Sequence, residues 1–262
     1  MIPRSKLTLV GAGPGDPELI TLKAIRALGQ ADVVLYDALV ATDLLAHAPK
    51  AEHIFVGKRK GCAAYLQPQI NELIVELGRT RGHVVRLKGG DPFIFGRGSE
   101  EMEYAEAHGM ETEIIPGLSS ALAVPALRHI PLTLRGEAES FWVVTGTTRD
   151  HQLSRDVALA AKSSATVVVL MGMSHLGQIM ACFAAEGKAG LPVAVIQEGS
   201  TRAEQMVVGT VCDIRERVTR AGLRSPAVIV VGEAVRLHRN VTPLLNELKT
   251  AGFSDPALIR TA

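Results

Sequence analysis

The sequence predicts an α/β protein of two domains, the N-terminal one built on a mainly parallel sheet and the C-terminal one on a mixed sheet. Three observations carry this. Short apolar strands alternate with amphipathic helical stretches through the first half, the pattern of βαβ units. In the second half two strands are joined by a polar segment too short for a crossover helix. The length of 262 residues is comfortable for two small cores.

The strands of the first half are expected at Leu7–Val10, Val33–Tyr36, His53–Val56, Val84–Leu87 and Glu113–Ile115. Helical stretches at Thr21–Leu28, Gln69–Leu77 and Glu100–Ala107 lie between them, and Pro17–Ala24 also reads as helical. In the second half, strands are expected at Phe141–Thr145, Thr166–Met171, Val193–Ile196, Met206–Gly209 and Ala227–Val231. Gly199–Gln205 is the short polar connection, so the strands on either side of it should run antiparallel. Pro131–Gly136 separates the halves. The expected domains are 1–132 and 137–262, with 133–136 as linker.

Composition narrows the function. The formal net charge is +1 and aromatic residues make up 4%, which argues against nucleic acid or an anionic membrane surface as partner. No apolar run reaches membrane-spanning length and no secretory leader precedes the first strand, so a cytoplasmic location is expected. Cys62, Cys182 and Cys212 are scattered, and the histidines form no HxxxH or HxH pair, so no metal is expected.

Four segments carry chemistry. Gly11-Ala12-Gly13-Pro14-Gly15-Asp16 follows the first strand, where glycines let backbone N–H groups approach a ligand. It is an imperfect dinucleotide fingerprint. Gly15 falls one position early, and Asp16 would repel a pyrophosphate. Asp37, ending the second strand, stands where a ribose-binding acid belongs in that reading. Gly89-Gly90-Asp91-Pro92-Phe93-Ile94-Phe95-Gly96-Arg97-Gly98 follows the fourth strand, at the carboxyl end where open α/β sheets bind ligands. Asp91 is suited to accept from a hydroxyl or amine, and Arg97 to hold a carboxylate. Pro116-Gly117-Leu118-Ser119-Ser120-Ala121 follows the fifth strand, with either serine suited to cap a helix or face a ligand. Lys58, Arg59, Lys60, Arg86, Lys88, Arg97, Arg128 and Arg135 cluster near these loops and suggest a local anion site.

Taken together and in order, VGAGPGDPELITLKA, YDALV, VGKRKG, VVRLKGGDPFIFGRG, PGLSSA and PLTLRG resemble the tetrapyrrole methylase family, over Leu7 to Gly232. The resemblance implies two α/β domains with S-adenosyl-L-methionine in the cleft between them, released as S-adenosyl-L-homocysteine. It implies a stand-alone enzyme that methylates uroporphyrinogen III at ring carbons 2 and 7, giving precorrin-2 for sirohaem or cobalamin synthesis. A homodimer is also implied. Carried over position by position, the cofactor contacts are Pro14, Gly89, Gly90, Asp91, Ile94, Ser119, Ser120, Met171, Gly199 and Ala227. Asp37 matches the proton acceptor and Lys58 the donor, while Arg97, Lys58 and Gly15 would meet the substrate. Leu134 and Ala63 stand where the family often has histidine. A methylase of a later corrinoid precursor, an NAD(P)-dependent oxidoreductase and a non-catalytic binding module are the rival readings.

Overall fold

The computed structural model describes residues 5–57 and 65–238. Two compact units divide the chain at Ser120–Ala121. The expected 133–136 linker lies downstream of that division, and there Leu134 and Ala138 close a tight turn.

The first unit holds five parallel strands in the order β3-β2-β4-β1-β5. They are β1 (Lys6–Gly11), β2 (Val33–Tyr36), β3 (Glu52–Phe55), β4 (His83–Lys88) and β5 (Glu111–Ile115). Every strand expected from sequence is present, with ends shifted by a residue or two. Helix α1 (Leu22–Leu28) covers one face, burying Ala24, Ala27 and Leu28 against Val10, Val34, Val85 and Leu87. Helices α2 (Gln67–Arg81) and α3 (Gly98–Ala107) cover the other, where Ile70, Ile74 and Ala105 meet Leu7, Leu9, Val33, Leu35 and Val84. The strict alternation of these strand residues between two cores is the period of two that a doubly covered sheet requires.

The helical reading of Pro17–Ala24 needs correction. Pro17–Leu19 is a 3-10 turn capped by Asp16, whose Oδ1 accepts from the Glu18 N–H at 2.9 Å. Helix α1 starts afresh after Thr21, whose Oγ1 accepts from the Ala24 N–H. Two capping side chains in quick succession break what periodicity alone would join.

The second unit opens with α4 (Ser120–Leu127) and holds a mixed sheet ordered β6-β7-β10-β8-β9. Its strands are β6 (Phe141–Thr145), β7 (Thr166–Leu170), β8 (Pro192–Gln197), β9 (Gln205–Thr210) and β10 (Ala227–Val231). Only β6 and β7 pair in parallel; β8 and β9 are antiparallel, as their short connection requires. Helices α5 (Asp156–Lys162), α6 (Leu176–Ala185) and α7 (Ile214–Ala221) fill one face around Val167, Val169, Val195 and Ile229. Helix α4 packs Ala121 and Val124, with Ile130 behind it, against Val168, Ala194, Ile196 and Val230 on the other. That burial is why α4 belongs to the second unit.

Candidate functional site

In the first unit, the chain leaves β1 toward the α1 face and leaves β4 toward the α3 face, although β1 and β4 are neighbours. Their junction is the topological switch point, where open α/β sheets place ligands. Here the two loops are joined. Gly90 N–H donates to Gly13 O at 2.7 Å and Gly13 N–H to Gly90 O at 3.3 Å, while Ala12 N–H donates to Lys88 O at 2.8 Å. The crevice that a pyrophosphate would enter is therefore closed by backbone.

The loop after β5 crosses the same point. A Cβ on Gly11 would lie 2.4 Å from Gly117 N, and one on Gly117 would lie 2.3 Å from Gly90 O. Only glycine permits three strand-end loops to converge this closely. Asp91 fixes them: its Oδ2 accepts from Gly117 N–H at 3.1 Å and its Oδ1 from Phe93 N–H at 2.8 Å. Gly90 itself needs positive φ (+67°) more than space. Pro14 and Gly15 continue the first loop, and buried Ser119 and half-buried Ser120 close the third. Exposed Leu39, Phe93, Ile94, Phe95 and Leu118 give the loops of this strand edge an apolar surface.

Asp37 ends this edge beyond β2. One oxygen, Oδ1, accepts from Leu39 N–H at 3.2 Å, the turn-capping role open to any strand-end aspartate. The other, Oδ2, lies 3.4 Å from a guanidinium nitrogen of Arg86. Arg86 and Lys88 alternate with Val85 and Leu87 and so point to the α3 side of the sheet, where each is almost wholly buried. Their counter-charge is Glu101 on the first turn of α3, with no exposed surface. Its carboxylate accepts from Lys88 Nζ at 3.0 Å on both oxygens, from Arg86 Nε at 3.3 Å, and from Gln67 Nε2 at 3.1 Å. Burial, reinforced by the Arg86 charge, holds the Lys88 ammonium below the ordinary lysine range, and Glu101 opposes that shift.

In the sequence Arg86 and Lys88 read as part of a basic cluster, and Glu101 does not stand out. The signal was available. Two cations in an otherwise apolar strand need a buried acid, and Glu101 lies one helical turn before the buried Ala105. Arg97 pairs its guanidinium with Glu100 at 2.5 and 2.8 Å on the exposed start of α3. That pair holds Arg97 in its always-charged form. Lys58 lies outside the described residues.

The second unit brings its three expected contacts to one sheet edge. Ala227 pairs with Gln197 and Ile229 with Val169, which sets Met171, Gly199 and Ala227 together at the ends of β7, β8 and β10. Met171 has φ +55° and is half exposed, and its carbonyl accepts from Thr147 Oγ1 at 2.7 Å. A methionine held left-handed and outward is not serving as core. Gly199 sits between Glu198 (φ +47°) and Ser200 (φ +69°), where a Cβ would meet Val124 at 2.4 Å.

The residues fit S-adenosylmethionine. Gly11 and Gly117 pack against neighbouring backbone and so fix the loops, Gly90 has nothing nearer than 3.9 Å at its Cβ position and so leaves its backbone open to a ligand, and Asp91 leaves acceptor capacity for a cationic group. Among the described residues there is no cluster of metal-ligating side chains.

Residues 6–215 match the family model for tetrapyrrole (corrin/porphyrin) methylases. The chain is 46% identical over 235 residues to a uroporphyrinogen-III C-methyltransferase of Methanocaldococcus jannaschii, covering 88% of this chain and 97% of that protein. It is 45% identical to a siroheme synthase of Azotobacter vinelandii, of which it spans 50%. Among solved structures it resembles the Thermus thermophilus uroporphyrin-III C-methyltransferase complexed with S-adenosylhomocysteine. There the TM-score is 0.77 at 39% identity, over 88% of this chain and 94% of that one. A cobalt precorrin-4 methyltransferase gives a TM-score of 0.80 at 30% identity, over 88% and 96%. The chain belongs to the tetrapyrrole methylase family.

Proposed function

We propose that this chain is a uroporphyrinogen-III C-methyltransferase, using S-adenosylmethionine to methylate ring carbons 2 and 7 and release precorrin-2. The observation that carries it is the high identity to a C-methyltransferase of the same length class, joined to a glycine cradle closed against pyrophosphate.

When bound, the cofactor supplies an electrophilic sulfonium methyl to an electron-rich pyrrole carbon. The protein's own task is mostly placement. The backbone of the three strand-end loops fixes one reactant, and the apolar rim of Leu39, Phe93, Ile94 and Phe95 suits a flat macrocycle. Holding two reactants in line in a dry site contributes several orders of magnitude. Methylation leaves the macrocycle short of electrons, and a ring carbon must then lose a proton. Asp37 is the acceptor in this reading: an O–H bond forms on its carboxylate as the C–H electron pair returns to the ring. Arg86 and the Leu39 N–H orient that carboxylate. Lys58 is the proposed donor, and Arg97 would exchange Glu100 for a substrate carboxylate.

The remaining contacts follow the same reading: Pro14, Gly89, Gly90, Asp91, Ile94, Ser119 and Ser120 from the first unit, and Met171, Gly199 and Ala227 from the second. A homodimer in the cytoplasm, with neither nucleic acid nor membrane as partner, completes the proposal. Among the described residues no helix is long and apolar enough to cross a membrane.

Incubation with uroporphyrinogen III and S-adenosylmethionine tests the activity, read as two added methyl masses. Calorimetric titration separates the rival class, since NAD(P) binding without S-adenosylhomocysteine binding would sink the methylase reading. Asp37→Asn is expected to lower turnover by about 10²–10⁴-fold; full turnover with an unchanged pH profile would remove Asp37 as base.

A further inference from the structure

A fully buried glutamate, Glu101, sits behind the proposed base, and nothing in the methyl transfer itself requires it. Burying Glu101 with Arg86 and Lys88 is expensive, and well-packed apolar residues would often stabilise such a site better. The charges are arranged to do something else. Glu101 holds Arg86 through Nε, while the Leu35 and Leu87 carbonyls accept from Nη1 at 3.4 and 3.1 Å. Three of the guanidinium's directions are thereby fixed inside the protein. The remaining nitrogen, Nη2, is aimed at Asp37 Oδ2, the one half-exposed acid of the group.

We propose that Glu101 is a positioning residue for the base: it locks Arg86, and Arg86 in turn orients the Asp37 carboxylate toward the ligand edge of the sheet. The inference rests on Asp37 being the base. Among the described residues, the charged groups around Asp37 are Arg86 and Lys88 on β4 and Glu101 on α3. Gln67 on α2 adds an uncharged donor, and the exposed Arg97–Glu100 pair flanks Glu101 on α3.

A double-mutant cycle tests it, on the full chain, with kcat and S-adenosylhomocysteine affinity as separate readouts. Glu101→Gln is expected to lower kcat on the order of tenfold while S-adenosylhomocysteine affinity stays within about twofold. In an Asp37→Asn background the same substitution should cost less than about twofold, because the group it positions is already gone. Arg86→Met, which removes the link between the two acids, should lower kcat by about as much as Glu101→Gln does, and adding Glu101→Gln to it should cost less than about twofold more. If Glu101→Gln fails to melt cooperatively, Arg86→Lys carries the same cycle, keeping the charge but losing the fork. Additive losses of Glu101→Gln with Asp37→Asn or with Arg86→Met overturn the positioning role while leaving the methylase reading intact. An Asp37→Asn variant with full turnover overturns both this inference and the base assignment. Loss of S-adenosylhomocysteine affinity in Glu101→Gln would make its role merely structural.

Discussion

Gly117→Ala tests how closely the ligand cradle is built. A Cβ at this position would lie 2.3 Å from Gly90 O and 2.7 Å from Gly11 Cα, where ordinary contact begins at 3.4 Å. Both neighbours are backbone at the ends of paired strands, so no flexible side chain can yield. The loop must back away by about 1 Å, and overpacking of this kind costs about 1–3 kcal/mol. The same movement stretches the 3.1 Å bond from Gly117 N–H to Asp91 beyond hydrogen-bond range. A hydrogen bond to a charged group contributes about 1.5–3 kcal/mol. Asp91 would then be free to turn away from the cofactor side. A displacement of about 1 Å in a positioning element lowers turnover by about 100-fold. S-adenosylhomocysteine affinity, measured by calorimetry, should fall at least about tenfold, in line with the lost hydrogen bond. Gly109→Ala is the control. Nothing lies within 4 Å of its Cβ and φ is +80°, so it bears a left-handed strain of about 1–2 kcal/mol in melting and leaves affinity unchanged. Wild-type S-adenosylhomocysteine affinity in Gly117→Ala would refute the cradle as described.

Two further outcomes concern stability. Glu113 bridges Lys6 and Lys23, and hydrogen bonds from Lys23 and then Lys6 hold its carboxyl down at about 2. A depressed carboxyl stabilises above its unfolded value of 4.5, and the gain is lost as pH falls toward about 2. Because these side chains are largely in water, Glu113→Gln should cost at most about 1 kcal/mol at neutral pH. The loss should shrink in high salt and vanish near pH 2, as read from urea midpoints. In the second unit Phe183 on α6 is buried among Val157, Ile179 and Ile214. Phe183→Ala should cost about 3–5 kcal/mol in the cooperative unfolding of that unit, followed by calorimetry.

Much of this architecture was legible in the sequence, for physical reasons that can be named. Strands of Val and Leu buried on both faces announce themselves as apolar runs, so all ten expected strands are present. Glycine-dense loops were readable because glycine is costly unless backbone must bend or touch. What escaped depended on partners distant in sequence. Asp16 reads as part of a ligand loop until its hydrogen bond to Glu18 N–H makes it a cap. The unit division at Ser120–Ala121 follows the burial of Ala121, Val124 and Ile130 against the second sheet, which no local signal announces. Glu101 is an ordinary surface-type residue in the string GRGSEE; only the fold sets it beneath Arg86 and Lys88. Asp37 stands out locally as a ribose-binding acid or a turn cap, and only the family resemblance makes it a base; Met171, whose local chemistry suits a core residue, needed that resemblance to be singled out.

Because Gly13 and Gly90 exchange both of their backbone hydrogen bonds, the loops after β1 and β4 cannot change length independently. A residue inserted into either one shifts the register of the pair and pulls Gly117 with it. Length can change without disturbing these bonds only in segments that hang outside the knot, such as the Phe93–Phe95 rim and the turn after Asp37. An engineer seeking a new macrocycle specificity would graft there, and would leave the stretch from Gly11 to Gly13 and the Gly89–Asp91 turn at their present lengths.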